Sequence, residues 1–234
     1  MYKFKQLTIT IPPTTGPGYV FASLAENTSF CYDAVLYVLS EDRQSYVCIG
    51  PAPELSVPVN LRILGTVNNK PVTAIEESAF DRCTSIESVV IPDSVITIKY
   101  HAFYECNALE NLTIGNNVTT IGDSAFFNCA SVKDLYIPNK VTTIESYAFS
   151  GMTRVQSVRI PDSVTYIGPG AFFWDYKLTS VYIPDSVTYV GENAFQNCSD
   201  SIQIYCEAKA QPNGWSSYWS NGVTAGNIHW GTAM

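Results

Sequence analysis

Apolar residues recur along this chain with a period of 23 positions. The dipeptide Ala-Phe marks the period in six copies without an insertion: Ala79-Phe80, Ala102-Phe103, Ala125-Phe126, Ala148-Phe149, Ala171-Phe172 and Ala194-Phe195. An aliphatic residue lies four positions before each Ala, and a valine lies seven positions before it. Chance does not align three apolar columns through six copies, so the period indicates stacked structural repeats.

Each copy continues with a strand-like run in which apolar residues take three fixed positions, as Val155, Val158 and Ile160 do. Most copies then read Ile-Pro-Asp or Ile-Pro-Asn, where proline ends the strand and the Asx side chain favours a turn. The pattern predicts a leucine-rich-repeat solenoid of about six 23-residue rungs, a β-rich horseshoe-type fold of the α/β class. Each rung is predicted to hold a strand, a Pro/Asx turn, a short Val-x-x-Ile segment and a brief helical turn carrying Ala-Phe. Stacking should bury the six Phe rings in one interior file.

The two ends of the chain do not follow the period. Alternating apolar residues over positions 2–11 predict a strand, and two apolar runs at 34–39 and 45–49 around a polar segment predict a hairpin. A solenoid needs its ends covered, because a terminal rung otherwise exposes its core and its unpaired strand edges. We therefore interpret 1–56 as an N-terminal β cap, 57–207 as the solenoid and 208–234 as a C-terminal aromatic cap, with Trp215, Trp219 and Trp230 over the last rung.

Composition and charge narrow the classes of partner. Only 15% of the residues are charged, which suits a long and regular interior. The net charge of −8 argues against binding to nucleic acid or to anionic lipid. No stretch is long and apolar enough to insert into a membrane, and no apolar segment of a secretory signal follows Met1. Either the protein is intracellular or a signal has been removed, and the chain itself leaves both open.

Two polar columns could suggest metal chemistry. Four of the seven cysteines, Cys83, Cys106, Cys129 and Cys198, share one repeat position, where Met152 replaces a fifth. There is no Cys-x-x-Cys pair, so we interpret them as buried structural thiols and not as zinc ligands. The Asx residues after the Ile-Pro pairs are interpreted as turn residues, because no second carboxylate in each rung completes a calcium shell. We expect no metal and no cofactor.

The sequence offers few residues or motifs that could support catalysis. The two histidines, His101 and His229, are far apart in sequence, and His101 takes a variable repeat position. Nucleophile-elbow, phosphate-loop and zinc-protease motifs are absent from the sequence. The sequence therefore predicts a protein that is not an enzyme.

The best candidate binding residues lie in the outward column of the main strand, at Tyr136, Arg159, Tyr182 and Tyr205. Tyr and Arg are frequent at interface hot spots, and small polar neighbours should leave these side chains accessible. The alternative is that tyrosine simply suits an exposed strand and stacks on its neighbours. A second candidate patch lies at the rung corners, with Tyr104, Phe127, Phe173, Trp174 and Tyr176. Those rings either form an exposed anchor or fold under an adjacent loop.

The repeat resembles the BspA-like leucine-rich repeats, whose unit is similar to I-P-x-S-V-T-x-I-G-x-x-A-F-x-x-C-x-x-L-x-x-V-x-I-P. The match is close at Ile160-Pro161-Asp162-Ser163-Val164-Thr165-Tyr166-Ile167-Gly168, and the resemblance covers positions 71–206. It implies a bacterial protein at the cell surface or secreted, which adheres to host extracellular-matrix proteins or to other cells. The leading expectation is thus a non-enzymatic protein-binding module that uses the exposed strand face for adhesion. Carbohydrate binding by the same tyrosines and an intracellular interaction scaffold remain the alternatives.

Overall fold

The structure is a computed structural model that describes residues 19–20, 29–32, 35–51 and 59–232. Within these ranges regular structure is almost entirely β-strand, and one 3-10 helix, Ala225–Asn227, is the single helical segment. In chain order the strands are β1 (Tyr19–Val20), β2 (Ser29–Tyr32), β3 (Val35–Leu39), β4 (Tyr46–Pro51), β5 (Asn60–Arg62), β6 (Thr66–Val67), β7 (Lys70–Ile75), β8 (Ser88–Val90), β9 (Thr97–Ile98), β10 (Asn111–Thr113), β11 (Thr120–Ile121), β12 (Thr143–Ile144), β13 (Ser157–Arg159), β14 (Tyr166–Ile167), β15 (Ser180–Ile183), β16 (Tyr189–Val190), β17 (Gln203–Cys206) and β18 (Ile228–Trp230).

Strands of successive repeats pair in parallel and in register. One side of the solenoid consists of β7, β9, β11, β12, β14 and β16 in that order. Ile98 pairs with Ile75 on one side and with Ile121 on the other, and the row of equivalent residues continues to Val190. A column in the sequence is therefore a row on the molecule, which confirms the predicted solenoid.

The opposite side carries two shorter parallel sheets, β5–β8–β10 and β13–β15–β17–β18. Here β5 precedes the first regular copy and β18 follows the last, so the stack has about eight turns. The sequence predicted about six, because the chain before Val89 and after Ile204 departs from the 23-residue spacing that made the other rungs recognisable.

The core is a continuous apolar file between the two sides. Its centre is the row of six Phe rings, each at most 1% exposed, with neighbouring ring centroids 5.1 to 5.7 Å apart. Valine and isoleucine columns flank these rings and are equally buried, as Val118 and Ile121 show. The predicted interior file of Phe residues is confirmed.

The Ala-Phe segment is not the helical turn that the sequence predicted. Its backbone donates to the next rung: Ser78 N to Tyr100 O at 2.9 Å, and Phe80 N to Ala102 O at 2.8 Å. Ser78 and Arg82 have positive φ angles of 55°, which interrupts any helical sequence of dihedrals. The segment is a series of turns, since an inter-rung ladder takes the amides that a helix would use internally.

Both ends of the stack are covered. β3 and β4 form the predicted antiparallel hairpin, and β4 pairs in parallel with β7 at the first regular rung. The strand predicted within positions 2–11 lies outside the described residues. At the other end Trp219 is 1% exposed and meets Phe195, the last ring of the file, edge-on at 6.1 Å. The aromatic cap is thus confirmed, whereas the boundaries at 56 and 207 stay predictions.

None of the helices in the described part of the chain has the length and apolar character needed to span a bilayer.

Candidate binding surfaces

The outward side chains of β5, β8, β10, β13, β15, β17 and β18 form one surface, called here the strand face. Strand pairing places Arg159, Tyr182, Tyr205 and His229 in one row on it, one residue per rung. Arg62 occupies the same row at the other end, through its pairing with Val90. The sequence analysis missed Arg62 and His229, because both lie in rungs whose spacing differs from 23 residues.

Exposure differs strongly among the four predicted residues. Tyr136 is 60% exposed and Arg159 is exposed, whereas Tyr205 is half-buried. Tyr182 is only 3% exposed, so the expectation that it presents an accessible ring is wrong. The structure brings Arg159, Tyr182 and Tyr205 together, and Tyr136 lies in the rung before them.

Tyr182 is covered because its two neighbours hold it. The Arg159 guanidinium lies over its ring, 4.4 Å from the centroid, and its hydroxyl donates to the Glu207 carboxylate. Burial, together with that carboxylate, raises the pKa of Tyr182 to about 12. The hydrogen bond from Tyr182 and a second from the Asp185 amide lower the pKa of Glu207. Tyr182 therefore acts as a platform that orients Arg159.

The far end of the row is also stacked. Tyr205 and His229 have ring centroids 4.9 Å apart, and His229 Nε2 lies 2.8 Å from Gln203 Oε1. In such a stack the facing ring surfaces cover each other, so only the ring edges and the outer faces can meet solvent. Tyr136 differs, since none of the ring contacts in the described structure involves it.

The strand face is broken at Tyr136. Residues 133–137, called here the interrupted rung, form no strand, and this separates β10 from β13. Leu112 and Leu135 are only half-buried, whereas their equivalents Val89, Val158 and Val181 are buried. Water therefore reaches the edge of the core at this point. An open cavity of about 320 Å³ adjoins it and is lined by Asn139, Arg159, Pro161, Asp162 and Ser163.

The corner patch divides into two groups. Tyr104 and Phe127 stack at 4.9 Å, and His101 extends that stack at 4.2 Å from Tyr104. Phe173 and Trp174 lie 4.6 Å apart in a second group. Ser150 takes the repeat position of Phe127 and Phe173 in the rung between them, and because it is buried and not aromatic it separates the two groups. Of the five predicted residues, Trp174 and Tyr176 are the exposed ones, at 42% and 57%.

In the cysteine column, Cys106 and Cys129 are buried, whereas Cys83 and Cys198 at its ends are half-buried. Cys106 and Cys129 are 0% exposed, and each Sγ donates to a Phe carbonyl of the preceding rung, at 3.2 and 3.3 Å. Burial raises the pKa of Cys106 to about 12, so the thiol stays protonated. All six cysteines whose side chains are described are free. Cysteine suits this position because it is small and apolar, yet can satisfy a buried carbonyl.

One member of that column is a carboxyl group. Asp175 is 1% exposed, and its Oδ1 accepts a hydrogen bond from the Met152 amide at 2.7 Å. Burial raises the pKa of Asp175 well above its usual range. The sequence analysis did not single out Asp175, although an acidic residue in a column of thiols is a signal that could have identified it.

No group of ligating side chains in the described ranges could hold a metal ion. In the Asx column, Asp93 Oδ1 accepts a hydrogen bond from the Asn116 amide of the next rung at 2.7 Å.

The fold and its surfaces define a leucine-rich-repeat solenoid, a class that in general serves as a non-enzymatic scaffold for binding. The chain belongs to the family of BspA type leucine rich repeat regions, whose profile matches six copies over residues 73–202. A search of curated proteins found no match.

Solved bacterial structures agree with this assignment. A T. pallidum leucine rich repeat protein is 26% identical, with a TM-score of 0.68 over 73% of this chain and 78% of its own. A leucine rich cell surface protein from Faecalibacterium prausnitzii is 26% identical, with a TM-score of 0.62 over 79% of this chain and 56% of its own. A leucine-rich repeat protein from Bacteroides ovatus, 21% identical, has the same fold, with a TM-score of 0.60 over 87% of this chain and 71% of its own.

Proposed function

We propose that this protein is a protein-interaction module that acts at the bacterial cell surface and binds its partner through the strand face. The observation that carries the proposal is that two side chains suited to an interface lie in successive rungs of this face. Tyr136 is exposed and unstacked, and Arg159 is held in place by the Tyr182 ring. Tyrosine and arginine supply much of the energy of protein interfaces, and a rigid scaffold lowers the entropy that binding costs. The surface location is supported by the Faecalibacterium protein, which is described as a cell surface protein.

The test is a binding measurement on one identified partner. Proteins captured from extracellular-matrix and bacterial-surface fractions are identified, and one is purified for titration against the wild type and Tyr136→Ser. We expect affinity to fall roughly tenfold or more in the variant. Tyr218→Ser is the matched control, because Tyr218 is 57% exposed but lies in the C-terminal cap. Equal affinity in all three proteins would remove the strand face from consideration.

Carbohydrate binding is a second candidate, and the corner patch supports it better than the strand face does. Trp174 and Tyr176 are the exposed rings of this patch, at 42% and 57%, and the adjoining Phe173 ring lies 4.6 Å from Trp174. Exposed aromatic faces are the usual stacking surfaces for sugar rings, and every rung has a positive φ at the repeat position of Trp174, so the backbone there presents the side chain without altering the fold. On a glycan array, Trp174→Asn should lose any signal of the wild type while thermal stability is kept. A signal that persists in the variant would rule this patch out.

A further inference from the structure

The interrupted rung has no main-chain bonds to its neighbours on the strand face. At an intact interface between rungs, the amides of Thr179 and Ser180 both donate to Gln156 O, at 2.8 and 3.2 Å. Within the described structure, residues 133–137 make no such bond to the rung before or to the rung after. The ladder of the strand face is therefore missing at two successive interfaces.

The rest of the rung stays bonded at the same two interfaces. In the sheet of β11, β12 and β14 the Thr142 amide donates to Thr119 O, and the Thr165 amide donates to Thr142 O, both at 2.9 Å. In the Ala-Phe segment the Phe126 amide donates to Ala148 O, also at 2.9 Å. These bonds fix the spacing of the rungs along two sides, so the motion left to them is opening and closing of the strand face.

The core offers less resistance to that motion here than elsewhere. Ring centroids in the Phe file are 5.1 Å apart between Phe80 and Phe103 but 5.7 Å apart between Phe126 and Phe149. Leu135 of the interrupted rung is half-buried. A wider spacing and an incompletely buried side chain both mean fewer close contacts that hold the rungs together.

One exposed charge cluster, called here the Glu110 clasp, spans the two interfaces without a ladder. Glu110 precedes the interrupted rung, Lys133 belongs to it, and Arg154 follows it. The Glu110 carboxylate lies 3.2 Å from Lys133 Nζ and 4.0 Å from a guanidinium nitrogen of Arg154. The three side chains are 46% to 57% exposed. Exposed ion pairs are weak and screened by salt, so the clasp favours the closed strand face without fixing it.

We propose that the interrupted rung is a flexible joint of the solenoid, and that the Glu110 clasp holds it in the closed arrangement that binds the partner. Tyr136 and Arg159 lie on the two sides of one of the interfaces without a ladder. Opening of the strand face moves these side chains apart, so a partner that contacts both binds more weakly. Salt lowers the affinity because it screens the clasp. The effect on binding rests on the proposed use of the strand face, whereas the joint itself does not.

Spin labels on the free protein test the joint. Asn111 and Ser157 lie on the strand face, one rung before and one rung after the interrupted rung. Thr119 and Thr165 span the same two interfaces on the side where the ladder is intact. Both pairs are two strand spacings apart, about 10 Å, a separation that dipolar broadening in electron paramagnetic resonance can measure. The labels are attached to p-acetylphenylalanine, so the cysteines stay unmodified.

The two pairs should differ in the width of their distance distributions. We expect the Asn111–Ser157 distribution to be at least about twice as wide as the Thr119–Thr165 distribution, since the rungs move on the strand face alone. High salt should widen the first distribution further and leave the second unchanged. Equal widths for the two pairs would overturn the joint.

The role of the clasp is tested by removing its shared carboxylate. Glu110→Gln should widen the Asn111–Ser157 distribution at low salt to the width that the wild type has at high salt. Glu87→Gln is the matched control, because Glu87 takes the same repeat position one rung earlier, beside the intact ladder of β8 and β10. It should leave the distribution as in the wild type. Identical results for the two variants would show that the clasp does not hold the joint closed.

A disulfide across the joint tests its effect on binding. Asp134→Cys with Ser157→Cys places two thiols at equivalent positions of neighbouring rungs, at a spacing that a disulfide can bridge. Ser157→Cys with Ser180→Cys is the control, because these residues are partners in the intact ladder of β13 and β15. Each variant is titrated with the purified partner in its oxidised and its reduced form, so that the effects of the substitutions cancel. The six native cysteines described are free, so reduction acts on the engineered bond.

Oxidation should raise the affinity about threefold or more across the joint, because the open arrangement no longer competes with the closed one. In the control variant it should change the affinity by less than about twofold, since that interface is already fixed by its ladder. A joint disulfide that leaves the affinity unchanged, or lowers it, would overturn the proposed effect on binding.

The joint and the proposed function can fail separately. If Tyr136→Ser weakens binding of the partner but the joint disulfide has no effect, the strand face is the interface and its regulation by the joint is wrong. If Tyr136→Ser also leaves binding unchanged, the proposed function and the effect of the joint on it fall together. The distance distributions of the free protein then still decide whether the joint exists.

Discussion

Asp175 is an acidic residue at a repeat position that the other rungs fill with uncharged side chains. Its place in the cysteine column surrounds it with Met152 of the preceding rung and with Cys198 of the next, both apolar or neutral. Burial favours the neutral acid, and the backbone amides of Met152 and Gly151, which favour the charged form, do not offset it, so the pKa in the folded state is raised. The folded protein therefore holds this proton more tightly than the unfolded chain does.

We predict that Asp175→Asn stabilises the protein at about pH 7 more than at about pH 4. A carboxyl whose folded pKa is raised contributes fully below its unfolded pKa, and that contribution is lost as the pH rises towards the folded value. Asparagine keeps an oxygen for the Met152 amide and does not ionise. We therefore expect a gain in the free energy of unfolding at neutral pH that shrinks as the pH falls. Urea unfolding at both pH values measures it, and a gain that does not depend on pH contradicts a raised pKa.

A second prediction concerns the backbone at Ser78, which is exposed and has a φ of 55°. Glycine adopts positive φ without steric cost, so Ser78→Gly should stabilise the protein by ~0.5–1 kcal/mol. Ser85 is a matched control, because it is exposed in the same rung and is not among the residues with positive φ. Ser85→Gly should destabilise by a similar amount. Chemical denaturation of both variants checks the pair, and two shifts of the same sign would contradict the argument.

At the scale of elements, the strands and the Phe file could be predicted because each apolar column repeats in six copies. A single copy would not have distinguished a strand from a helical turn, and the Ala-Phe segment shows this: its short apolar spacing suggested a helix, but its amides bond between rungs. Burial of Tyr182 depended on Arg159 and Glu207, and Glu207 lies outside the repeat pattern. The interrupted rung keeps its 23-residue spacing and its apolar positions, so nothing in the sequence revealed it.

The Phe file gives the main prediction for an element. Phe126 is 0% exposed and stacks on Phe103 and Phe149, at 5.3 and 5.7 Å. Its replacement by alanine leaves a cavity between two rungs that cannot collapse, and we expect a loss of ~3–5 kcal/mol. Phe173→Ala removes an equal ring from the half-buried corner and should cost clearly less. Denaturant unfolding compares the two, and a loss below about 1 kcal/mol for Phe126→Ala would place its ring outside the core.

At the scale of the whole molecule, stability passes from rung to rung, because each rung contacts mainly its neighbours. Parallel ladders connect β7 to β16 without a gap, whereas the strand face is continuous only on each side of the interrupted rung. The stack is thus held together across that rung by the opposite sheet and by the Phe file. The interruption of the strand face is therefore tolerated, because the remaining side preserves the solenoid.

Damage at the C-terminal cap should therefore stay local. Trp219 covers Phe195, and Trp215 anchors the cap by donating from Nε1 to Val187 O at 3.0 Å. In Trp219→Ala we expect amides of β16 and β17 to exchange faster, because the last ring of the file becomes accessible to water, while β7 and β9 keep their protection. Tyr218→Ala, at a neighbouring exposed position, should change neither region. Faster exchange throughout the stack would mean that the solenoid unfolds as one cooperative unit, and the nearest-neighbour description of its stability would then be wrong.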